Sequence, residues 1–329
     1  MASSNTLSAS WHLVTSNKRL ARSSQAVSNV DRKVFVFGGE LLPRQPVECA
    51  SSTLPEPSKA PSPRVGSPST TIGPNIYLFS GRGGLEMKPI EENGAIWCYN
   101  TSDNEWSMIT PADPSALFPV GRSYHCITSD SNDKIYLHSG CPEKGRLSDL
   151  WAFDLTNRSW AELPSAPGPA RGGSSIAFLN RNLYRMNGFD GETEQGGALD
   201  VFNIRANSWS TISYNPDGLQ GPEARSVSTL LPVSVQSKPH LLTMFGERDP
   251  SSLGHAGAGK MLSDVWTFDI AQSLWKRVQT DDGPVARGWF DADVMDMENG
   301  NTRVVVHGGL GEDNERLGDV WTLEISASI

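Results

Sequence analysis

Six arginines begin six similar stretches of the chain, and their spacing is the first sign of a repeated chemical group. Five intervals from Arg22 to Arg287 cover 265 residues, an average of 53. The six are Arg22, Arg64, Arg122, Arg171, Arg225 and Arg287. A guanidinium group is a fixed fork of donors that binds an oxyanion or an enolate. The pattern predicts either that at least two of these arginines touch a ligand, or that they are anchors paired with acids and backbone carbonyl groups.

A second set of polar and aromatic side chains follows a later apolar run in each repeat. This set comprises Glu40, Arg82, Pro142, Glu143, Phe189, Asp190, Glu247 and Leu310. A carboxyl group whose pKa is raised by burial can donate or accept a proton, so Glu247 and Glu40 are predicted acid–base residues. Aromatic residues near the arginines would hold a flat or terpenoid ligand, and these are Tyr124, His125, Trp289 and Phe290.

Other reactive side chains give weaker signals. His125, His138 and His307 lie within or beside strand-like runs, so they are interpreted as core or channel residues. Cys141 follows Gly140, and the sequence assigns no histidine partner to its thiol. The chain has no H-E-x-x-H, P-loop or G-x-S-x-G pattern.

The sequence predicts that short strands hold these groups in place. After each arginine comes an apolar run that stops at a small residue: VFVFGG (34–39), IYLFSG (76–81), IYLHSG (135–140), LYRMNG (183–188), LLTMFG (241–246) and VVVHGG (304–309). A third run begins with an acid in four repeats, at Asp149, Asp200, Asp264 and Asp319. A fourth carries a tryptophan: Trp106, Trp160, Trp209 and Trp275. The acids are interpreted as anchors and the tryptophans as core.

Repeats of four short strands predict an all-β, six-bladed β-propeller, because one such sheet cannot bury both faces alone. The prediction covers residues 1–329 as one domain, with repeats starting near the six arginines. The sixth repeat lacks its tryptophan strand, and Trp11 precedes the first repeat. We therefore expect the N-terminal strand to complete the last blade and close the ring, which removes exposed sheet edges.

The first repeat is unusually short. Only 24 residues separate Gly39 from Arg64, whereas the corresponding gaps elsewhere are 30 to 40 residues. The segment has no acid–x–Trp pattern and is rich in proline and serine. We expect poor or missing outer strands in this blade, either as a tolerated deletion or as a change in access to a pocket.

The repeats resemble kelch repeats over nearly the whole chain. Two stretches, FGGELLPRQPVE (37–48) and FGERDPSSLGHAGAGKMLSDVW (245–266), resemble the small kelch proteins related to nitrile-specifier and thiocyanate-forming proteins. That resemblance implies a propeller that redirects an unstable small molecule released by another enzyme. The similar fungal proteins of natural-product gene clusters imply a quinone-methide cycloaddition. The kelch resemblance also implies that the loops carrying the arginines and the loops after the second strands open on the same side of the propeller, at one mouth of its channel.

The resemblance further implies an iron site of the form E-x-x-x-D-x-x-x-H. Glu247 and His255 match its ends, but the middle position is Ser251, with Asp249 two residues earlier. A ferrous ion normally takes carboxylate and imidazole ligands together. We therefore expect no cofactor, with Fe²⁺ at Glu247, Asp249 and His255 as the less favoured alternative.

Net charge and composition limit the classes of binding partner and the cellular locations that are expected for the protein. The net charge of −9 argues against nucleic acid and anionic membranes as partners. No apolar stretch is long enough for a membrane span. The start of the chain has no secretory pattern, and four irregularly spaced cysteines fit reduced thiols, so a cytoplasmic location is expected. The sequence carries no signal for a particular oligomeric state.

Two functions remain open on the sequence alone. The first is a propeller that binds a small reactive intermediate and steers its cyclisation, addition or rearrangement, as a lyase or cyclase without redox chemistry. Arg22, Arg64, Arg82, Arg122, Arg171, Arg225 and Arg287 would bind this substrate with Tyr124, Phe189, Asp190 and Trp289, while Glu247, Glu40 and His255 would act in catalysis. The second is a protein-interaction module that takes an acidic peptide into an arginine-lined mouth.

Overall fold

β-Strands form nearly all of the regular structure in the computed structural model, which describes residues 7–46, 60–253, 257–297 and 300–327. A short 3-10 turn at Lys18–Leu20 is the only helix in these residues. No helix of the same residues is long and apolar enough to cross a membrane. The prediction of an all-β chain is confirmed.

The strands follow one another closely along the chain. Those of the first two repeats are β1 (Leu7–Ser16), β2 (Ser23–Val30), β3 (Lys33–Leu42), β4 (Gln45–Pro46), β5 (Arg64–Val65), β6 (Ser69–Ile72), β7 (Asn75–Leu78), β8 (Arg82–Gly83), β9 (Lys88–Pro89), β10 (Ile96–Asn100) and β11 (Glu105–Ile109). Those of the next two are β12 (Cys126–Ser129), β13 (Lys134–Gly140), β14 (Leu147–Asp154), β15 (Ser159–Leu163), β16 (Ser175–Leu179), β17 (Asn182–Met186), β18 (Ala198–Asn203) and β19 (Ser208–Ser213). The remainder are β20 (Leu231–Val235), β21 (Lys238–Met244), β22 (Glu247–Arg248), β23 (Lys260–Met261), β24 (Val265–Asp269), β25 (Leu274–Arg277), β26 (Gln279–Thr280), β27 (Asp291–Asp296), β28 (Thr302–His307) and β29 (Asp319–Ala327).

Strands that are neighbours in the chain pair in antiparallel sheets. Four sheets have four strands each, in the orders β11-β10-β7-β6, β12-β13-β14-β15, β16-β17-β18-β19 and β20-β21-β24-β25. The first repeat forms β2-β3-β4, and two small sheets, β5-β8-β9 and β22-β23, form in loops. In the first, fourth and fifth repeats a two-residue turn with left-handed backbone joins the first strand to the second, as at Asn180 and Arg181 (φ 51° and 61°), which is the turn geometry that matches strand twist.

The first and last parts of the chain share one sheet. β1 pairs antiparallel with β29, so that Trp11 lies opposite Leu323, and pairs parallel with the short β26. The resulting sheet has the order β26-β1-β29-β28-β27. Trp11 is buried and stacks on Phe245, with 5.7 Å between ring centroids. The N-terminal strand thus lies where the other repeats have their tryptophan strand.

The core between sheets is built from pairs of rings on adjacent strands. The tryptophan of each fourth strand packs on an aromatic residue of the third strand, with centroids 4.9 to 5.1 Å apart. The pairs are Tyr99–Trp106, Phe153–Trp160, Phe202–Trp209 and Phe268–Trp275. Trp160 and Trp275 are buried, whereas Trp106 and Trp209 are half-buried. Aromatic pairs of this kind add to the stability that their buried area provides.

The first repeat has a small sheet, and its third strand is two residues long. Within the described residues of this repeat no fourth strand pairs with it. Residues 47–59, which hold most of the Pro- and Ser-rich segment, lie outside the described residues. Trp106 of the second repeat packs on Phe37 of the first repeat, with 5.2 Å between centroids.

A closed ring of six backbone hydrogen bonds holds the repeats together at the centre. The second residue after each arginine has a positive φ, and its N–H donates to the carbonyl of the equivalent residue in the preceding repeat. The ring residues are Ser24, Gly66, Tyr124, Gly173, Val227 and Trp289, with N···O distances of 2.8 to 3.2 Å. We call this set the central ring. Below it, the first strands of the repeats line a channel cavity of about 270 Å³.

Candidate functional site

The repeated arginines are buried inside the sheets, and three of them make the same clip. Arg122 donates from Nη1 and Nη2 to Asp149, at 2.6 and 2.9 Å, and also from Nη1 to the carbonyl of Ser139. Trp151 Nε1 donates to the same carboxylate at 2.8 Å. The acid–x–Trp pattern therefore describes a carboxylate that receives a tryptophan N–H and holds the arginine of its own repeat. Arg225 with Asp264 and Trp266, and Arg287 with Asp319 and Trp321, repeat this clip.

Two repeats build the clip from other residues. In the second, Glu92 receives both Arg64, at 3.0 and 3.1 Å, and Trp97 Nε1, at 2.8 Å. In the fourth, Asp200 pairs with Arg185 at 2.6 Å.

The remaining two arginines of the set bond mainly to backbone. Arg171 donates to the carbonyls of Pro169 and Asn187. Burial and the nearby Arg185 charge lower the pKa of Arg171 to about 10. Arg22 donates to the carbonyls of Gly38 and Arg19.

This placement favours the anchor interpretation of the repeated arginines. Arg22, Arg64, Arg122, Arg171, Arg225 and Arg287 are each at most 5% exposed. None of them lines either of the two mouth cavities described next or the channel cavity. Acids and backbone carbonyl groups within the sheets hold their charges, away from the lining of the mouth cavities.

Two adjoining cavities open beside the central ring, and they bring together the other predicted side chains. The polar one has about 250 Å³ and the apolar one about 260 Å³. Tyr124, Cys141 and Arg146 line both. Of the predicted site residues, Glu40 and Arg82 line the polar cavity, and Phe189, Glu247 and Trp289 line the apolar cavity. We call the two together the mouth.

The polar cavity carries charged groups that are already oriented. Arg82 donates from Nε to Ser123 Oγ at 3.2 Å and from Nη2 to the carbonyl of Pro142 at 3.0 Å. Glu40 accepts hydrogen bonds from the Arg44 N–H, at 2.8 Å, and from Arg316 Nη2, at 3.2 Å. Because its carboxylate is engaged by these two arginines, Glu40 fits the role of an orienting ion-pair partner better than that of an acid.

Arg146 lies on the boundary between the two cavities. Its guanidinium carbon lies 5.0 Å from the centroid of the Phe189 ring, a cation–π contact. Its Nε is buried and has no hydrogen-bond partner among the described residues. A cation in this position can attract an oxygen-rich group toward the boundary of the cavities.

The apolar cavity contains one carboxyl group with altered acidity. Glu247 is 4% exposed and accepts a hydrogen bond from the Gly259 N–H at 2.8 Å. Burial raises the pKa of Glu247 to about 7, and the Gly259 N–H opposes part of that shift. The rest of the wall includes Phe189, Val227 and Trp289. A carboxyl group that is partly protonated at neutral pH and faces an apolar cavity is suited to act as an acid.

A second altered carboxyl group, Glu194, was missed by the sequence analysis. Burial raises the pKa of Glu194 to about 8, and the charge of Glu247 adds to that rise. The Ser226 hydroxyl opposes the shift, although neither carboxylate oxygen has a partner of standard hydrogen-bond geometry within the described residues. Glu194 lies four residues after Asp190 in the same loop, beyond the residues that directly follow the second strand.

Asp190 and Asp249 lie outside the described lining of the two mouth cavities. Asp190 accepts the N–H groups of Glu192 and Thr193, both at 2.8 Å, and so caps its own loop instead of lining a cavity. Its pKa is lowered chiefly by those backbone hydrogen bonds. The Asp249 side chain is 76% exposed and lies 3.8 Å from Arg248 Nε.

The described part of the chain contains two of the three side chains of the less favoured iron site, Glu247 and Asp249. His255 lies outside the described residues. Across residues 7–46, 60–253, 257–297 and 300–327, no group of three His, Cys, Asp or Glu side chains is placed to hold a metal ion. Ser251, in the middle position of the pattern, lines the apolar cavity, and Glu247 is the one carboxylate among the described residues that line it.

The cysteine and histidines near the mouth are neutral groups. Burial raises the pKa of the Cys141 thiol, against the opposing charges of Arg146 and Arg82, so the thiol is not activated as a nucleophile. Burial lowers the pKa of His125 to about 3. His138 accepts from Arg185 Nε at 3.1 Å and bonds to the carbonyl of Asp149 at 2.7 Å, which makes it part of the interior network.

Three other mouth residues were also absent from the sequence prediction: Arg44, Arg146 and Val227. Val227 occupies the same position after its arginine as Tyr124 and Trp289 do, so the repeat register contained the signal for it. Arg146 lies five residues after Cys141 in the same loop, beyond the residues that directly follow the second strand.

Comparison with known proteins places these features in a wider group. Residues 45–246 match the KLHDC2/KLHL20/DRC7 Kelch-repeats domain. The chain is 25% identical over 345 residues to N-(sulfonatooxy)prop-2-enimidothioate sulfolyase of Thlaspi arvense, and the alignment covers 93% of each protein. It is 29% identical over 189 residues to Tip elongation aberrant protein 1 of Schizosaccharomyces pombe, which covers 53% of this chain and 16% of that protein. The solved structure of YjhT aligns with a TM-score of 0.66 over 91% of this chain at 14% identity, a likeness of fold alone.

Proposed function

Because the chain belongs to the KLHDC2/KLHL20/DRC7 Kelch-repeats family, we propose that its propeller uses the mouth to bind a small reactive intermediate and to steer that intermediate through an addition, cyclisation or rearrangement. The observation that carries the proposal is Glu247, a carboxyl group with a pKa of about 7 in an apolar cavity that adjoins a cavity lined by arginines. The similarity to the Thlaspi arvense sulfolyase along 93% of both proteins supports a role in specialised metabolism.

We propose that residues 1–329 form a single six-bladed propeller whose ring is closed by β1. The six-membered central ring and the pairing of β1 with β29 support this count. A cytoplasmic location is also proposed for the protein, because Cys98, Cys126 and Cys141 are free thiols and reducing compartments keep thiols in that form. The partner is a small molecule, neither nucleic acid nor membrane.

Glu247 is proposed as the general acid. A substrate that carries a leaving group next to an aromatic ring would place that group in the apolar cavity. As the carbon–oxygen bond breaks, its electron pair stays on the leaving oxygen, and the Glu247 proton is transferred to that oxygen. For an ortho-hydroxybenzyl alcohol the products are water and a quinone methide, with the phenol proton lost to solvent.

Arg82 and Arg146 are proposed to stabilise the electron-rich oxygen at the other end of the substrate. Arg82 is fixed by Ser123 and the Pro142 carbonyl, so its remaining donors are oriented before a ligand arrives. Arg146 lies at the boundary and is shared by both cavities. Negative charge that develops on the phenol oxygen as the leaving group departs would thus face two cations.

The aromatic side chains of the apolar cavity would control how the quinone methide reacts. Tyr124, Phe189 and Trp289 surround the apolar cavity and would hold the new electrophile against its reaction partner while keeping out water. A hetero-Diels–Alder addition of an alkene to the quinone methide then needs no further proton, metal or redox step. The Glu247 carboxylate recovers its proton from solvent.

The alternative, an acidic-peptide site in a ring of arginines, has less support. The six repeated arginines are at most 5% exposed, and the acids that would compete with a peptide already bind four of them. Kelch-family membership alone favours this alternative.

The test is an addition reaction with purified protein. An ortho-hydroxybenzyl alcohol and an electron-rich cyclic alkene are incubated with the protein, and adduct formation and enantiomeric excess are followed by chiral chromatography. We expect faster adduct formation with one enantiomer in excess. Glu247→Gln should slow it about a hundredfold.

The matched control is Asp249→Asn, which changes an exposed carboxylate two residues away, and it should react like the native protein. A racemic product at the uncatalysed rate, together with binding of a labelled acidic peptide in fluorescence anisotropy, would replace this proposal with the alternative.

A further inference from the structure

The central ring lies between the mouth and the channel cavity. All six ring residues line the channel cavity, and Tyr124, Gly173, Val227 and Trp289 also line the apolar cavity of the mouth. The two spaces therefore share one wall, and that wall is a single layer of residues thick. Whether they form one continuous bore depends on the side chains that these ring positions carry.

Every ring residue has a left-handed backbone, which glycine adopts without strain. Two positions are glycine, and Ser24 is small. Tyr124, Val227 and Trp289 have φ values of 51°, 45° and 50°. A β-branched or bulky residue with such a φ is a genuine outlier, and strain of this kind concentrates at functional sites. Glycine would make the ring hydrogen bonds equally well. The backbone conformation therefore does not explain why Tyr124, Val227 and Trp289 have large side chains.

Val227 and Tyr124 each lie over a neighbouring glycine of the ring or of the segment beside it. A Cβ atom at Gly173 would lie 3.0 Å from Val227 Cγ1, and one at Gly288 would lie 3.1 Å from Val227 Cγ2. A Cβ at Gly66 would lie 3.1 Å from the Tyr124 ring. The Tyr124 hydroxyl reaches across to Ser24 Oγ at 3.3 Å. These contacts turn the side chains inward over the ring, where they occupy the bore.

We propose that Val227 and Trp289 form the floor of the ligand pocket and set how deeply an apolar ligand can enter. Tyr124 closes the half of the ring made by Gly66 and Ser24. Val227 and Trp289 close the half below the apolar cavity, where Glu247 also lies. A smaller side chain at 227 joins the apolar cavity to the channel below and admits a longer apolar group. The inference rests on the proposed function, because it concerns the same pocket.

Val227 is the better position to change. Its methyl groups fill the gap between Gly173 and Gly288. Its backbone φ of 45° suits glycine, so Val227→Gly relieves strain while it opens the floor. Val227→Ala opens the floor but keeps a Cβ at the strained position. The pair of variants separates the volume of the floor from the relaxation of the backbone.

The probes are straight-chain alkylsulfonates from butyl to dodecyl, with titration calorimetry as the measurement. The sulfonate should bind at Arg82 and Arg146 and the alkyl chain should enter the apolar cavity. The native protein should gain up to about fourfold in affinity per methylene, until the chain meets the floor and the affinity levels off. In both Val227→Ala and Val227→Gly, the levelling-off should move to chains at least two methylenes longer.

Val294→Ala is the matched control. Val294 lines the channel cavity below the ring and not the mouth, and it is half-buried like Val227. This variant should level off at the native chain length. Thermal unfolding would show that the three variants are folded.

Each outcome has one meaning. Levelling-off at the native length in both Val227 variants would overturn the floor while leaving the proposed function intact. A shift in Val227→Gly alone would assign the effect to backbone relaxation and also overturn it. Failure of the native protein to bind any alkylsulfonate would overturn the proposed function and this inference with it.

Discussion

Arg122 Nη1 lies 2.6 Å from Asp149 Oδ1, and this ion pair joins the start of its repeat to the third strand of the same sheet. The Arg122 side chain is 1% exposed, and that of Asp149 is 17% exposed. Trp151 adds a third hydrogen bond to the carboxylate. The arginine that begins a repeat and the acid–x–Trp pattern further along are therefore two parts of one structural clip.

The clip predicts a large loss of stability when its arginine is removed. Arg122→Ala leaves the half-buried Asp149 without its cation, which should lower the free energy of unfolding by about 3 to 5 kcal/mol. Urea denaturation followed by tryptophan fluorescence would measure it. Arg82→Ala, in the mouth, is the comparison: it should unfold at nearly the native urea concentration and bind alkylsulfonates at least tenfold more weakly. Equal stability loss in the two variants would contradict the separation of anchor and ligand arginines.

The acidity of Glu247 predicts the pH dependence of the addition reaction. The pKa of Glu247 is about 7, raised by burial, so the acid form predominates below pH 7 and is lost above it. The rate of adduct formation at low substrate should be level below about pH 6 and fall tenfold per pH unit above about pH 8. Glu247→Gln should be slow and show no such fall. A native rate that rises through pH 7 would instead identify a base.

Two channel carboxyl groups predict a second pH effect, on stability. Asp291 accepts the Val27 N–H at 2.6 Å, and Asp293 accepts the Asn29 N–H at 2.7 Å, so they join β27 to β2. Burial raises the pKa of Asp291 to about 7 and that of Asp293 to about 6. The folded protein therefore holds these protons more tightly than the unfolded chain, and stability should fall as the pH rises from about 4 to about 7.

The test for this effect is Asp291→Asn, which keeps an oxygen acceptor for the Val27 N–H but cannot ionise. The free energy of unfolding of this variant, measured relative to that of the native protein, should be higher at pH 8 than at pH 5 by about 1 kcal/mol or more. Urea denaturation at the two pH values would measure the difference. Asp296→Asn, an exposed change on the same strand, should show no comparable gain, and an equal response of the two variants would argue against the channel carboxyls as its source.

The pairing of β1 with β29 predicts that Trp11 stabilises the junction between the chain ends. Trp11 is buried, stacks on Phe245 and contacts the edge of Trp321 with 6.5 Å between centroids. Trp11→Ala should lower the free energy of unfolding by about 3 to 5 kcal/mol, because a large cavity would remain. Val14→Ala, on the exposed part of the same strand, should cost less than about 0.5 kcal/mol. Hydrogen exchange in β29 should rise in the first variant only.

Much of the fold could be predicted from the sequence because its signals are local and repeated. Strand runs, turn residues and the tryptophan of each fourth strand recur with a fixed order, and the missing tryptophan of the last repeat pointed to Trp11. The mouth was predicted in part, since Glu40, Arg82, Tyr124, Phe189, Glu247 and Trp289 all line it. The resemblance to kelch repeats implied that those loops lie on one side of the sheets.

The direction of a side chain was beyond the sequence. Arg122 and Arg82 both lie in loops on the mouth side, yet one turns inward to Asp149 and the other lines the polar cavity. That choice depends on which carboxylate lies within about 3 Å, a distance set by strands far apart in the chain. The same holds for Glu194, whose acidity depends on its burial and on the charge of Glu247, 53 residues later.

The all-β repeat, its register and the set of loops that carry functional groups could be predicted from the amino-acid sequence, because hydrophobic alternation and turn chemistry act between near neighbours. Three properties required the folded structure: which arginines are held by acids within the sheets, which carboxyl groups have a pKa near neutral pH, and the position of Val227 and Trp289 between the mouth and the channel cavity. Those properties arise from desolvation and from contacts between residues that lie far apart in the chain.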